Sequence, residues 1–312
     1  GLVRLSRYNP RTQVQRLQIE PVSQASANQR KGRCGRIAPG ICVRLYGEDD
    51  FKKRDAFTPP EILRASLAGV ILTMLDLKLG EIEAFPFIDP PSAAMIREGY
   101  RELDMIGAVE AGDRLSAPDA QGGMPEIALT PLGRQLARLP LEPALARILF
   151  AAHHEKALAD ALIVVAALEC DDPRRRPIDK QAEADKLHGR FLSPVSDFAA
   201  IIRLWRWYHD QTAKSSQSAA RRLCKDNFLS YPRVRDWIDL RDQLERLCKE
   251  SQLDVTASSG GDAGLHRALL SGLLGNLGKR DPETSDYRGA RGIRFALFPG
   301  SGLAKLKEPK PA

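Results

Sequence analysis

Leu2 to Ile19 alternates apolar and polar residues on either side of a break at Tyr8-Asn9-Pro10. A period of two with turn formers at the break predicts a β-hairpin, with Arg4, Arg7, Arg11 and Arg16 on or beside it. Ser23 then offers a side-chain oxygen as an N-cap. Gln24 to Arg33 carries good helix formers with no Pro or Gly before Gly32, so a short capped helix is expected there. Ile41-Cys42-Val43-Arg44-Leu45-Tyr46, entered from Pro39-Gly40, reads as a short and mostly apolar strand. Hairpin, helix and buried strand together read as the end of an α/β domain.

A second pattern begins near Thr58. Pro59-Pro60 suits a helix start, and Glu61 favours the positive end of that helix. Leu63, Leu67, Val70, Ile71 and Met74 recur at three- and four-residue steps, which predicts one buried stripe. A further helix is expected from Ser92 to Ile106, then turn residues and the strand-like Ile127-Ala128-Leu129. Two helices followed by strand-like pieces form a winged-helix-like pattern, in which the Gln121-Gly122-Gly123 loop stands for the wing.

From Thr130 to Glu250 the pattern is almost wholly helical, punctuated by Pro140, Pro143, Pro173, Pro177, Pro194 and Pro232. Ala157 to Leu168 is apolar on nearly every side, as the central helix of a bundle would be. Beyond a Ser/Gly loop at 258–261, one more helix is expected from Leu265 to Leu277. Ile293 to Phe298 alternates like a strand, the start of a small β-domain. The whole is mixed but predominantly α.

Composition narrows the class. With 312 residues and 43% apolar content, the chain has room for two or three domains with their own cores. No apolar run is long enough to span a bilayer; the stretch at 157–168 is interrupted by Asp160. The opening residues carry no charged-then-apolar leader, and both ends read as cut from something longer. Five cysteines without CxxC spacing disfavour a disulfide framework or a zinc site and suit a reducing cytoplasm. A formal charge of +7 is compatible with a polyanionic partner.

The stretch richest in chemistry is Gln29-Arg30-Lys31-Gly32-Arg33-Cys34-Gly35-Arg36. Glycine at a helix end stops the helix and lets backbone approach a ligand. Arg33 and Arg36 lie three apart, so persisting helical geometry would aim both at one target. Paired guanidinium forks suit the charge spread over phosphate oxygens in phosphoryl transfer. A solvated basic helix end is the competing reading of any such charge run.

These residues match the pattern QRxGRxGR at every specified position, which is motif VI of superfamily 2 helicases. Tyr8-Asn9-Pro10-Arg11, the run from Pro21 to Ala27 and Gly40 to Tyr46 resemble the DEAH branch. So do Thr58-Pro59-Pro60-Glu61-Ile62-Leu63-Arg64, Leu129-Thr130-Pro131-Leu132-Gly133 and Leu139-Pro140-Leu141-Glu142-Pro143. Arg221 to Tyr231, with Trp237 beyond, and Ala290 to Ser301 are similar to the bacterial HrpA type specifically. The chain thus resembles the C-terminal portion of a DEAH-box ATP-dependent RNA helicase.

That resemblance implies residues 1–57 as the end of a second RecA-like domain, with hairpin and motif VI. It further implies a winged helix over 58–128, a helical ratchet bundle over 129–255, and the truncated start of an OB-fold domain over 256–312. Gln29, Arg33 and Arg36 would face ATP, bound with Mg²⁺ mainly on a first RecA-like domain supplied in cis. Gln29 would position the γ-phosphate or the attacking water, and Arg33 and Arg36 would be arginine fingers. The hairpin's Arg7 and Arg11 and the helical Arg221 and Arg222 would contact RNA phosphates, with Tyr8 placed to stack on a base. A cytoplasmic monomer is expected.

Neither a GxxxxGK[ST] loop nor an Asp-Glu-Ala-His box occurs in the sequence. Gly272 to Lys279 has the wrong spacing and lacks the Ser or Thr that would hold Mg²⁺. The isolated chain is therefore expected to be inactive. A different class, a non-catalytic RNA- or protein-binding module of helicase ancestry, is the alternative. Trp205, Trp207 and Trp237 fit a bundle core better than stacking platforms. Asp171 to Arg176 reads as a charged loop. His153-His154 has no third ligand at metal spacing, so no metal site is expected.

Overall fold

The computed structural model describes residues 1–9, 14–110, 127–282, 284 and 286–305. It is mostly helical, with two small antiparallel sheets and no barrel among the described residues. The chain divides into two units: residues 1–104 with 109–129, and residues 105–108 with 130–312.

The first unit opens on the expected hairpin. β1 (Leu2–Asn9) and β2 (Val14–Pro21) pair antiparallel in register from Leu2–Pro21 to Asn9–Val14. α1 (Gln24–Gly32) follows, and Ser23 caps it as expected by accepting from the Ser26 N–H at 3.2 Å. α2 (Glu48–Lys53) is a short acidic-to-basic turn aligned with its own dipole.

The strand expected at 41–46 does not form. That segment has no regular structure, and Ile41 and Leu45 are 91% and 94% exposed. A strand is stable only when a neighbour takes its N–H and C=O groups, and no described residue of this unit pairs it. Apolar sequence alone did not suffice.

The helix expected from Pro59 is also broken. A 3₁₀ turn at Glu61–Leu63 gives way to irregular backbone before α3 (Ala68–Asp76). Leu67, Ile71 and Met74 are buried as the stripe required, but Val70 stands 37% exposed. Ile96, Tyr100 and Leu103 of α4 (Ala93–Met105) are buried as well, and α4 approaches Leu67 and Ile71 so closely at Gly99 that a Cβ there would lie 2.6 Å from Ile71 Cδ1. Of the strand-like pieces, a single antiparallel bridge joins Val109 to Leu129; the loop expected as a wing lies outside the described residues.

The second unit is a helical bundle. Its helices are α5 (Pro131–Leu136), α6 (Pro143–His154), α7 (Leu158–Glu169), α8 (Gln181–Gly189) and α9 (Asp197–Thr212). α10 (Gln217–Asp226), α11 (Tyr231–Glu250) and α12 (Gly261–Gly272) complete them. Thr130, Ser196 and Ser216 cap α5, α9 and α10 through their hydroxyls, and Pro131 and Pro143 sit at helix starts, where a missing N–H costs nothing. α7 is the hub, in contact with α6, α9, α11 and α12. Leu158, Ala161, Leu162, Val164, Val165 and Ala166 are wholly buried, as an apolar-all-round helix must be. Trp237 is core, as expected: its indole N–H donates to the Ile163 carbonyl at 2.9 Å, edge-on to Trp205.

α12 packs against α6 more extensively than any other helix pair among the described residues. A Cβ on Gly272 would lie 2.1 Å from the Ala144 carbonyl oxygen, and one on Gly264 2.8 Å from that of Glu155. Ala144 and Glu155 belong to opposite ends of α6, so the two helices run antiparallel, backbone nearly on backbone. The helix stops at Gly272, short of Leu277. Beyond it β3 (Gly278–Arg280), β4 (Tyr287–Gly289) and β5 (Arg294–Phe295) form a three-stranded meander. The strand expected through Phe298 ends at Phe295.

Candidate functional site

The motif at 29–36 sits where α1 tightens. Gly32, Arg33 and Arg36 all keep right-handed helical angles, and Arg33–Gly35 is a 3₁₀ turn. The helix therefore ends by narrowing rather than by a left-handed glycine. Side chains three apart eclipse in 3₁₀ geometry, and those four apart are neighbours on an α-helix. Gln29, Arg33 and Arg36 consequently lie along one edge.

All three are exposed, and no hydrogen bond or ion pair engages their side chains among the described residues. Cβ atoms built on Gly32 and Gly35 would meet nothing within 4 Å. Neither glycine is demanded by the chain's own conformation or packing, which leaves the backbone open along this edge. Gly40 is different. A Cβ there would stand 2.1 Å from the Cys34 carbonyl oxygen, so the returning loop closes on the 3₁₀ turn only because residue 40 has no side chain.

The segments around the motif hold it in place. Gln24 donates its side-chain N–H to the Arg54 carbonyl at 2.8 Å, and the Gln24 and Ala25 amides donate to Asp55 and Ala56. Arg44 donates to Asn28 Oδ1 at 2.7 Å and lies 4.1 Å over the Phe51 ring. Arg54 is spent internally: its side chain is 8% exposed, bonded to Gly1 O and Asp50 and stacked 3.9 Å over Tyr46. The chain thus uses Arg44 and Arg54 for itself and leaves Arg33 and Arg36 free.

The residues expected to meet RNA are placed unevenly. Arg7 forms a two-pronged pair with Glu20, at 2.5 and 2.8 Å; this holds the Glu20 carboxyl below its usual range. Arg4 is exposed without such a partner among the described residues. Arg11 lies outside the described residues. Tyr8 is half-buried with its hydroxyl covered and unbonded, which is not the open face a stacked base needs. Arg222 reaches its own helix at Asp226, 3.6 Å away. Arg221 instead lies over the Tyr231 ring, 5.3 Å from its centre, and lines a cleft of the second unit.

Arg175 and Lys180 share that cleft, and nothing in their local sequence marks them out. The run Arg174-Arg175-Arg176 looks uniform on paper; only folding assigns Arg174 to Asp172 and Arg176 to Asp185. Among the described residues no group of three or more His, Cys, Asp or Glu side chains could hold a metal ion. His153 accepts the Asp254 backbone N–H through Nδ1. No helix among them is long and apolar enough to cross a membrane.

No protein-family model matches the chain. It is 48% identical over 99% of its length to the ATP-dependent RNA helicase HrpA of Escherichia coli, and 46% identical over 99% to its homolog in Haemophilus influenzae. It is 32% identical over 92% of its length to the pre-mRNA-splicing factor ATP-dependent RNA helicase prp22 of Schizosaccharomyces pombe. In each case the match spans 23% of the relative. Across nearly all of its residues, then, the chain is a relative of the HrpA-type ATP-dependent RNA helicases, matching about a quarter of those longer proteins.

Proposed function

We propose that this chain is one portion of an RNA helicase that couples ATP hydrolysis to movement along single-stranded RNA, and so to unwinding or remodelling of RNA-bound complexes. In this reading residues 1–57 end the second RecA-like domain and 58–128 form the winged helix. Residues 129–255 form the ratchet bundle, and 256–312 begin the OB-fold domain. The protein works as a cytoplasmic monomer.

The supporting observation is the complete QRxGRxGR motif with the Arg33 and Arg36 guanidinium groups unpaired among the described residues. Two forks on one edge suit the oxygens of a triphosphate, so the donor set fits ATP. Bound ATP supplies a phosphoryl group whose charge spreads as it is transferred. Arg33 and Arg36 would hold the triphosphate oxygens and offset that charge, and Gln29 would orient by hydrogen bonding. The Mg²⁺ ligands belong to the domain that carries the phosphate cradle. Arg7, Arg11, Arg221 and Arg222 contact the RNA backbone, Arg7 by exchanging Glu20 for a phosphate.

The test is Arg33→Lys in the full-length helicase. Lys keeps the charge but not the planar fork. ATP turnover is expected to fall on the order of a thousand-fold, with RNA affinity close to wild type. Undiminished turnover would remove the finger assignment.

A further inference from the structure

α1 is anchored along one half only. The Gln24 and Ala25 N–H groups donate to Asp55 O and Ala56 O at 2.9 Å, and Gln24 Nε2 donates to Arg54 O at 2.8 Å. The Ser23 and Ser26 hydroxyls lie 3.0 and 3.3 Å from Thr58 Oγ1. Ala27 is the last buried residue of the helix. From Asn28 to Arg36 every residue is exposed, and this is the stretch that carries Gln29, Arg33 and Arg36. A helix end without packing frays. Whatever touches this stretch therefore decides where the motif points.

Two contacts from elsewhere reach it among the described residues. One is the Gly40 backbone, seated against the Cys34 carbonyl. The other is made by a side chain. Arg44 donates to Asn28 Oδ1 at 2.7 Å, and its guanidinium carbon lies 4.1 Å from the centre of the Phe51 ring. Phe51 belongs to α2, which Arg54 ties to Gly1 O and Val22 O while bonding Asp50. A planar guanidinium stacks on a ring and donates in its own plane at once, which an ammonium does not do.

The lever is long enough to matter. Eight residues separate Asn28 from Arg36, about 12 Å at the helical rise, so a tilt of about 5° at Asn28 moves Arg36 by about 1 Å. A misplacement of about 1 Å costs an enzyme up to about a hundredfold in rate.

We propose that Arg44 is a positioning residue for the motif: braced on Phe51, it holds Asn28 and so sets the angle at which Gln29, Arg33 and Arg36 meet the transferred phosphoryl group. It acts through the helix and not on the nucleotide. The inference rests on the arginine-finger reading and adds to it the group that aims the fingers.

The experiment measures ATP turnover by the full-length helicase at saturating RNA, for wild type, Arg44→Met, Asn28→Ala and the double variant. Arg44→Met is expected to lower kcat about tenfold, with KM for ATP within about twofold of wild type because the groups that bind ATP are intact. The melting temperature is expected to hold within about 2 °C, since an exposed link contributes little to stability. The double variant is expected to be no slower than Arg44→Met, because both changes break one link. In the present chain, hydrogen exchange of the amides at 29–33 is expected to quicken in Arg44→Met while those at 25–27 keep their wild-type rates. Faster exchange with undiminished kcat would overturn the proposal, as would losses of kcat that add in the double variant or that come with a lowered melting temperature. Full turnover in Arg33→Lys would instead remove the finger reading itself. A crippled Arg33→Lys beside a fully active Arg44→Met would sink this inference alone.

Discussion

Whether an arginine is available to a partner depends on which carboxylates its own chain brings near. Arg7, Arg174 and Arg176 are each held by Glu20, Asp172 and Asp185, whereas Arg33, Arg36 and Arg175 are not. All six look alike in sequence. His188 is placed the same way. Its Nε2 donates to the Asn227 carbonyl at 3.1 Å, tying α8 to the end of α10. Burial, and behind it the nearby Arg174 charge, hold its pKa below the ordinary 6.5 despite that bond. The unfolded chain therefore takes up the proton first, so stability present above pH 6.5 is lost as pH falls toward the folded-state pKa. The melting temperature is expected to fall between about pH 7.5 and 5.5, and His188→Gln to flatten that fall. Equal pH dependence in the two proteins would assign the effect to other groups.

Elements formed where local signals agreed with packing. The capped α1, the hairpin and the all-apolar α7 were legible because cap, alternation and hydrophobicity are local quantities that tertiary contacts then reinforced. The segment at 41–46 was misread because β structure depends on a partner strand, and hydrophobicity does not supply one. The close seat of α12 on α6 went unread, although small residues at Gly264, Ala268 and Gly272 recur every four positions. Gly272→Ala is expected to destabilise the chain by about 1–3 kcal/mol through overpacking against Ala144. Urea denaturation measures it, and a neutral or stabilising result would mean the helices part freely.

For the molecule as a whole, the two units carry different candidate chemistry: the motif edge in the first, the basic cleft in the second. Ile37, Ile41, Val43 and Leu45 of the first unit stand in solvent close in sequence to the motif. Since the sequence holds neither a GxxxxGK[ST] loop nor a DEAH box, the chain alone is expected to hydrolyse no ATP above background. A phosphate-release assay with and without RNA checks this, and RNA-stimulated turnover would reveal a nucleotide site built from other residues.

Sequence alone determined the helicase kinship, the motif, the Ser23 cap and the central helix, because each depends on residue identity at short spacing. Only the tertiary structure decided which cations stay free, where α12 seats and that Arg175, Lys180, Arg221 and Lys225 share one cleft. Those facts depend on pairings between residues distant in the chain, and local pattern does not encode such pairings.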